Sequence, residues 1–142
     1  MTAGSRHMAR RSAVQALYQW ELTGQLSAGI EDSFLDDWGL KGVDQEYFKQ
    51  LVRGILNYTA ELDRVLEQCL DRGLASVDPI ERTILRIGTY ELQFRPEIPV
   101  RVVLNEAIEL ARVFGAEEGY RFVNGVLDRC QELCRGSELP LA

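Results

Sequence analysis

The sequence predicts an all-α fold, a compact bundle of about seven helices in two packed halves. Apolar residues recur every three to four positions along almost the whole chain, which is the spacing of an amphipathic helix. No stretch shows the apolar–polar alternation that is typical of a half-buried strand. The chain has 142 residues, enough for one domain with a buried core. We therefore expect residues 1–142 to form a single helical domain whose halves meet near residue 75.

Helical segments of the first half are bounded by capping residues and helix breakers. The first helix is expected at about residues 6–22 and ends before Gly24, because glycine suits the left-handed conformation at a helix C-terminus. A short helix is expected at about residues 30–38. A longer helical segment starts after Asp44, which acts as its cap, and reaches residue 70. We expect it to break near residues 57–59, where poor helix formers and cap-type residues cluster.

The second half carries the clearest helix start in the sequence. In "DPIERTILRIGTYEL", Asp78 is the expected N-cap, Pro79 suits the first helical position, and Glu81 stands where a capping box requires a carboxylate. The next two prolines separate this helix from "VVLNEAIELARVFG", which stops at its final glycine. The last helix is expected at about residues 119–135.

The net charge of −6 argues against broad, nonspecific coating of nucleic acid. Residues 1–30 nevertheless carry three arginines against one glutamate, a balance of +2, which leaves −8 for the rest of the chain. A small basic arm on an acidic body predicts local anion binding. Residues 1–8 are either a flexible basic arm or, since "GSRHM" partly resembles a cloning scar, partly foreign to the protein. No apolar run approaches the ~18 residues of a membrane span, and no signal peptide is visible, so a cytoplasmic location is expected.

The cysteines and the missing motifs exclude several classes of chemistry. Three cysteines in a long helical chain argue against a disulfide framework. Cys130 and Cys134 share a helical face and could offer two metal ligands, but the sole histidine, His7, is distant in sequence. Both cysteines fall on the apolar stripe, which favours buried thiols. Because no phosphate-binding glycine loop, dinucleotide fingerprint or nucleophile–base pair is present, we expect a binding protein without metal or cofactor, and not an enzyme.

Four segments of the sequence carry a family resemblance. They are "ARRSAVQALYQWEL", "DQEYFKQLVRGIL", "IERTILRIGTYEL" and "VVLNEAIELARVFGAEEGYRFVNGVLD". Together they resemble the NusB family of bacterial transcription antitermination factors, from about residue 6 to residue 128. The resemblance implies two packed helical bundles that bind the single-stranded boxA element of nascent RNA together with the ribosomal protein NusE. It also implies assembly with other Nus factors on RNA polymerase, in support of rRNA operon transcription.

The resemblance implies a set of RNA-contacting residues. These are Arg6, Arg10, Arg11, Phe114, Glu118, Arg121 and Phe122. Such a set is suited to single-stranded RNA, because cations bind phosphates and aromatic rings stack on unpaired bases. Arg6 and Arg10 are four positions apart and share one helical face. Two alternatives stay open: the arginines are a solvated helix start, or both phenylalanines are core residues. The family often has Asp where this chain has Glu118.

The dipeptide Asn124-Gly125 stands inside the last helical pattern, although it is typical of tight hairpin turns. A glycine within a helix costs about 1 kcal/mol relative to alanine, so we expect another helix or a ligand to approach the backbone at Gly125. On a helical wheel Glu118, Phe122 and Gly125 lie in one lane at the edge of the apolar stripe. Phe122 is therefore expected to be partly exposed.

The resemblance also implies a surface for NusE. Its residues are Tyr18, Leu22, Ile80, Glu81 and Ile84. The unusually wide apolar face of the first helix is independent support for a partner there. Glu81 has a second interpretation as a capping-box residue, and the two roles are compatible.

Alternatives to the RNA-binding function also stay open. In the first alternative, the chain is a helical protein-interaction scaffold without RNA binding of its own. In the second, it is a helical domain of the kind that accompanies rRNA methyltransferases. The second is disfavoured because the sequence ends soon after Arg135 and leaves no room for a methyltransferase sheet. The family includes homodimers that cover RNA-binding surface, and the sequence does not decide between monomer and dimer.

Overall fold

The computed structural model describes residues 5–24 and 44–136, and every regular element in these ranges is helical. The elements are α1 (Arg6–Thr23), α2 (Gln45–Cys69), a 3-10 turn (Leu74–Ser76), α3 (Pro79–Phe94), α4 (Val100–Phe114) and α5 (Gly119–Arg135). The all-α prediction is confirmed. The predicted number of helices is too high for the described residues, where five α-helices occur. The expected helix at residues 30–38 lies outside them, and the expected break in α2 is a kink within one helix.

The helix boundaries agree with the predicted ones because local capping groups fix them. Gly24 follows α1 with a positive φ of 70°, and its N–H donates to the Trp20 carbonyl. The Asp44 carboxylate accepts from the Tyr47 N–H at 3.0 Å at the start of α2. The Asp78 carboxylate accepts from the first free N–H groups of α3, at 3.0 and 3.2 Å. These bonds involve residues at most four positions apart, so the sequence alone was enough to place them.

The chain divides into two compact units, Met1–Asn57 and Tyr58–Ala142. The division falls at the kink in α2, where Tyr58 has non-helical torsions of −117° and 20°. The break expected near residues 57–59 is thus confirmed in position, whereas the boundary expected near residue 75 is wrong. The connection around residue 75 is tied to α3 within the second unit, because the Arg82 guanidinium donates to the carbonyls of Leu74, Ala75 and Val77.

In the second unit, α3, α4 and α5 pack pairwise around a shared apolar core. A close contact between α3 and α5 occurs at Gly88, where an added Cβ would lie 2.7 Å from Leu127 Cδ1. The C-terminal half of α2 is joined to α3 by a two-pronged ion pair. Arg86 donates to both carboxylate oxygens of Asp63, at 2.8 and 2.9 Å. The Asp63 carboxylate thus matches the largely buried Arg86 guanidinium in charge and in geometry. No helix in residues 5–24 or 44–136 has the length and hydropathy needed to cross a membrane.

The last residue of α5 holds the end of α3 in place. The Arg135 guanidinium donates to the carbonyls of Glu91, Leu92 and Arg95, at 2.8 to 2.9 Å, and to that of Ile98. The last carbonyls of a helix lack partners within the helix itself. A single planar guanidinium with several fixed donors therefore stabilises the C-terminus of α3 and the following connection together.

Replacing this guanidinium is expected to destabilise the fold. Arg135→Ala should lower the free energy of unfolding by about 2–4 kcal/mol, because hydrogen bonds to a charged group contribute about 1.5–3 kcal/mol each and some carbonyls regain water. Arg135→Lys should recover only part of the loss, since an ammonium group lacks the fork of donors. Urea unfolding measures both, with the exposed Arg101→Ala as the matched control. Equal midpoints for Arg135→Ala and Arg101→Ala would contradict this role.

Candidate nucleic-acid interface

The expected basic arm of the first unit is organised around an aromatic ring of α2. The guanidinium carbons of Arg6 and Arg10 lie 4.3 and 5.6 Å from the centre of the Tyr47 ring. The two arginines do share a face, but only Arg6 is exposed, because Arg10 is 4% exposed. Arg10 is thus placed to hold Tyr47 by a cation–π contact rather than to bind phosphate, which corrects the expectation for this residue. Arg11, the third expected cation, is half-buried.

In the second unit, Phe122 is half-buried, in agreement with its predicted position at the edge of the apolar stripe. Phe114, at the end of α4, is half-buried as well. The Arg72 guanidinium carbon lies 4.8 Å from the centre of the Phe122 ring, and its side chain stays exposed beside Asp71. Arg72 was missed at the level of sequence. It lies in an irregular connection 50 positions before Phe122, and no spacing rule links such positions.

The other expected contacts of the second unit lie at the start of α5. Glu118 is the N-cap residue of α5 and has a positive φ of 71°, which a side chain such as glutamate rarely adopts. Its carboxylate forms an ion pair with Arg121, whose Nε lies 2.9 Å from Glu118 Oε1, and both side chains are exposed. The pair contributes little to stability in that environment. Both groups therefore remain available to a ligand.

Glu81 links the beginnings of α3 and α5. The carboxyl group lies against Gly119, where an added Cβ would overlap Glu81 Oε2. Partial burial raises the pKa of the Glu81 carboxyl; the nearby Asp78 raises it further, while Arg72 opposes the shift. The N-cap bonds of Asp78 described above confirm the cap itself, and the Glu81 side chain serves the contact with α5. Glycine at residue 119 leaves room for this carboxyl group, which would have to move if a Cβ were present.

The five residues of the expected partner surface differ in exposure. In the first unit, Leu22 is 62% exposed and Tyr18 is half-buried. In the second unit, Ile80 and Glu81 are half-buried in the first turn of α3. Ile84 is 0% exposed, so it offers no surface to a partner, and its expected contact role is corrected. The reason is that α3 is buried continuously from residue 83 to residue 92, and only its two ends reach the surface.

The cysteines have the character of structural thiols. Cys69 and Cys130 are buried, while Cys134 is half-buried and donates to Gln93 Oε1 at 3.2 Å. Burial raises the pKa of the thiols of Cys130 and Cys134, which keeps both protonated near neutral pH. Within the described ranges, no group of three or more candidate ligands could hold a metal ion.

Comparison with protein families gives a match that covers most of the chain. The description of the NusB family fits residues 7–132. The transcription antitermination protein NusB of Shewanella amazonensis is 51% identical over 129 residues, which cover 91% of this chain and 96% of that protein. The protein of the same name from Nitrosococcus oceani is 51% identical over 133 residues, 94% of this chain and 89% of that one.

Solved structures of similar fold include NusB proteins. NusB of T. maritima superposes with a TM-score of 0.81 at 31% identity, covering 92% of this chain and 93% of that chain. A crystal structure of the antitermination factors NusB and NusE in complex with dsRNA gives a TM-score of 0.82 at 28% identity, covering 90% and 96%.

Gly125 is the remaining feature of α5 that packing does not explain. A Cβ built on Gly125 would meet only Arg129 Nη1, at 3.9 Å, which is ordinary contact. No neighbouring helix in the described part of the chain therefore requires a glycine here. Packing against a helix of the described part of the chain is therefore not the reason for this glycine, and the approach of a ligand stays a prediction.

Adding a methyl group at Gly125 should accordingly stabilise the isolated protein. We expect Gly125→Ala to raise the free energy of unfolding by about 1 kcal/mol, because alanine favours the helix and the site has room. Gly88→Ala is the matched control and should not give this gain, since its Cβ would meet Leu127 in the core. Thermal melts of both variants measure the difference. A destabilised Gly125→Ala variant would show that packing, and not a ligand, requires the glycine.

Proposed function

The chain belongs to the NusB family, and we propose that it is a transcription antitermination factor that binds boxA-type single-stranded RNA together with NusE. In this role it joins other Nus factors and RNA polymerase in the cytoplasm and supports transcription of rRNA operons. It acts by binding and not by catalysis. The family membership supports this role, and so does the NusB–NusE complex with dsRNA formed by a protein of similar fold.

The observation that carries the RNA-binding proposal is the pairing of a half-buried Phe122 with an exposed Arg72. An aromatic ring at the surface offers a face to an unpaired base, and a guanidinium beside it can bind the adjoining phosphate. The Arg72 Nε also lies 3.6 Å from the carboxylate of the exposed Asp71, but an ion pair between exposed groups is weak, so the guanidinium can still bind a phosphate. The exposed Arg6 in the first unit supplies a further cation of the same kind.

The RNA strand is proposed to be unpaired where it meets Phe122. Stacking on a side chain requires a base that has left its own stack, and bases inside a duplex are not available in this way. The related complex contains dsRNA, so a duplex is the appropriate competitor. Labelled boxA-type RNA should be displaced by the same unlabelled single strand at lower concentration than by its duplex.

Titration of labelled RNA with the chain alone, with NusE alone and with both tests the proposed function. We expect the tightest binding with both proteins and measurable binding with the chain alone. If NusE binds the RNA and the chain neither adds to this binding nor strengthens it, the chain is instead a protein-interaction scaffold. Affinities are compared at several salt concentrations, because contacts with phosphates weaken as salt rises.

Phe122→Ala is expected to separate RNA binding from folding. Removal of one stacked base should reduce RNA affinity by about 1–3 kcal/mol, or roughly 5- to 150-fold. The cost to folding should stay below the ~3–5 kcal/mol of a fully buried phenylalanine, because the ring is half-buried. Val126→Ala, 0% exposed in the same helix, should show the opposite balance. RNA titrations and thermal melts in one buffer compare the two. Unchanged RNA affinity of folded Phe122→Ala would exclude the stacking role.

Glu81→Lys is expected to weaken binding of NusE. The substitution reverses the charge in the half-buried first turn of α3, where we propose that NusE binds, and it also removes the contact with Gly119. Glu81→Gln should keep the shape of the side chain and retain most of the affinity. Glu109→Lys places the same charge reversal on an exposed position of α4 and is the matched control. Calorimetry with purified NusE measures all three. Equal affinities for folded Glu81→Lys and Glu109→Lys would argue against a NusE surface at Glu81.

A further inference from the structure

A second aromatic residue of α5 is surrounded by positive charge. The guanidinium carbons of Arg112 and Arg121 lie 4.6 and 5.7 Å from the centre of the Tyr120 ring. Arg121 Nε also lies 3.2 Å from the Tyr120 hydroxyl oxygen, to which it donates a hydrogen bond. Arg112 comes from the last turn of α4, and the other two residues come from the first turn of α5. The packing of these two helices therefore brings two cations to a single ring.

This arrangement is electrostatically incomplete. Two like charges that share one ring repel each other, and the ring offsets only part of the cost, about 0.5–1 kcal/mol for an exposed cation–π contact. Arg121 has an exposed carboxylate partner in Glu118, at 2.9 Å. In the described part of the chain, the Arg112 guanidinium contacts the Tyr120 ring. The Arg112 side chain is exposed. A bound anion would offset the repulsion.

We propose that Arg112, Tyr120 and Arg121 form a second RNA subsite, which binds a phosphodiester group of the strand that stacks on Phe122. The inference rests on the proposed function. Tyr120 and Phe122 are two positions apart on α5, and their side chains leave the helix on different sides. A strand that contacts both would cross the first turn of α5, where the positive end of the helix dipole also favours an anion. Tyr120 acts here as a positioning residue that keeps both guanidinium groups in place.

RNA is the favoured ligand because the ring and its cations resemble the groups that bind single strands elsewhere. The same end of α5 also carries Phe122, Glu118 and Arg121, which are already part of the proposed RNA surface. A carboxylate of a protein partner is the competing ligand. It would bind the guanidinium groups in the absence of RNA, which gives the two ligands different experimental signatures.

The test measures how the affinity for labelled boxA-type RNA, with NusE present, depends on salt. For single strands, the slope of log affinity against log salt falls by about 0.7 for each phosphate that the protein no longer binds. We expect this decrease for Arg112→Gln and no change for Arg101→Gln, an exposed arginine three turns earlier on the same side of α4. Tyr120→Leu should weaken binding in the same way, whereas Tyr120→Phe should keep the ring and most of the affinity.

The outcomes distinguish this inference from the proposed function. An unchanged slope for Arg112→Gln, with clearly weaker RNA binding by Phe122→Ala, would overturn the second subsite and leave the RNA-binding role intact. Weakened NusE binding by Arg112→Gln without RNA would also overturn it, in favour of a protein carboxylate. Absence of RNA binding by the wild-type chain, alone and with NusE, would overturn both.

Discussion

The Glu81 carboxyl lies against Gly119, a contact that joins the first turns of α3 and α5 beside the proposed RNA surface of the second unit. A Cβ at residue 119 would overlap Glu81 Oε2, so another residue there would require the end of the Glu81 side chain to move. Phe122, Glu118 and Arg121 all lie within one turn of this point. At the other end of α5, Arg135 binds carbonyls of the last turn of α3 and of the residue that follows it. Both ends of α5 thus contact α3, and Arg121 near its start is exposed.

The surface charge of the chain is organised by aromatic rings. Arg6 lies over Tyr47, Arg72 over Phe122, and Arg112 beside Tyr120. A ring holds an arginine in place without cancelling its charge; of the three, Arg72 also pairs with the carboxylate of the exposed Asp71. An acidic chain of net charge −6 can in this way present local groups of cations that are ready for an anionic ligand. The same rings, where they are accessible, have the chemistry needed to stack on bases.

Several features of the fold and of the site could be predicted because their causes are local. The caps at Asp44 and Asp78, the stop at Gly24 and the break at Tyr58 each depend on residues a few positions apart. The half-exposed position of Phe122 followed from helical periodicity alone, since it lies at the edge of one apolar stripe. The family resemblance supplied the proposed partners, which no local pattern encodes.

Other features were decided only by tertiary structure, because they depend on which side chains meet across helices. Arg10 and Arg6 look alike in sequence, yet only Arg10 is buried beside Tyr47. The resemblance implied a surface role for Ile84, but Ile84 lies in the stretch of α3 from residue 83 to residue 92 that is buried throughout. The sequence by itself therefore determined the helices, their ends and their apolar faces, through interactions within about one helical turn. Packing of distant segments decided which cations stay exposed and which rings they meet, since burial and cation–π contacts join residues that no sequence period connects.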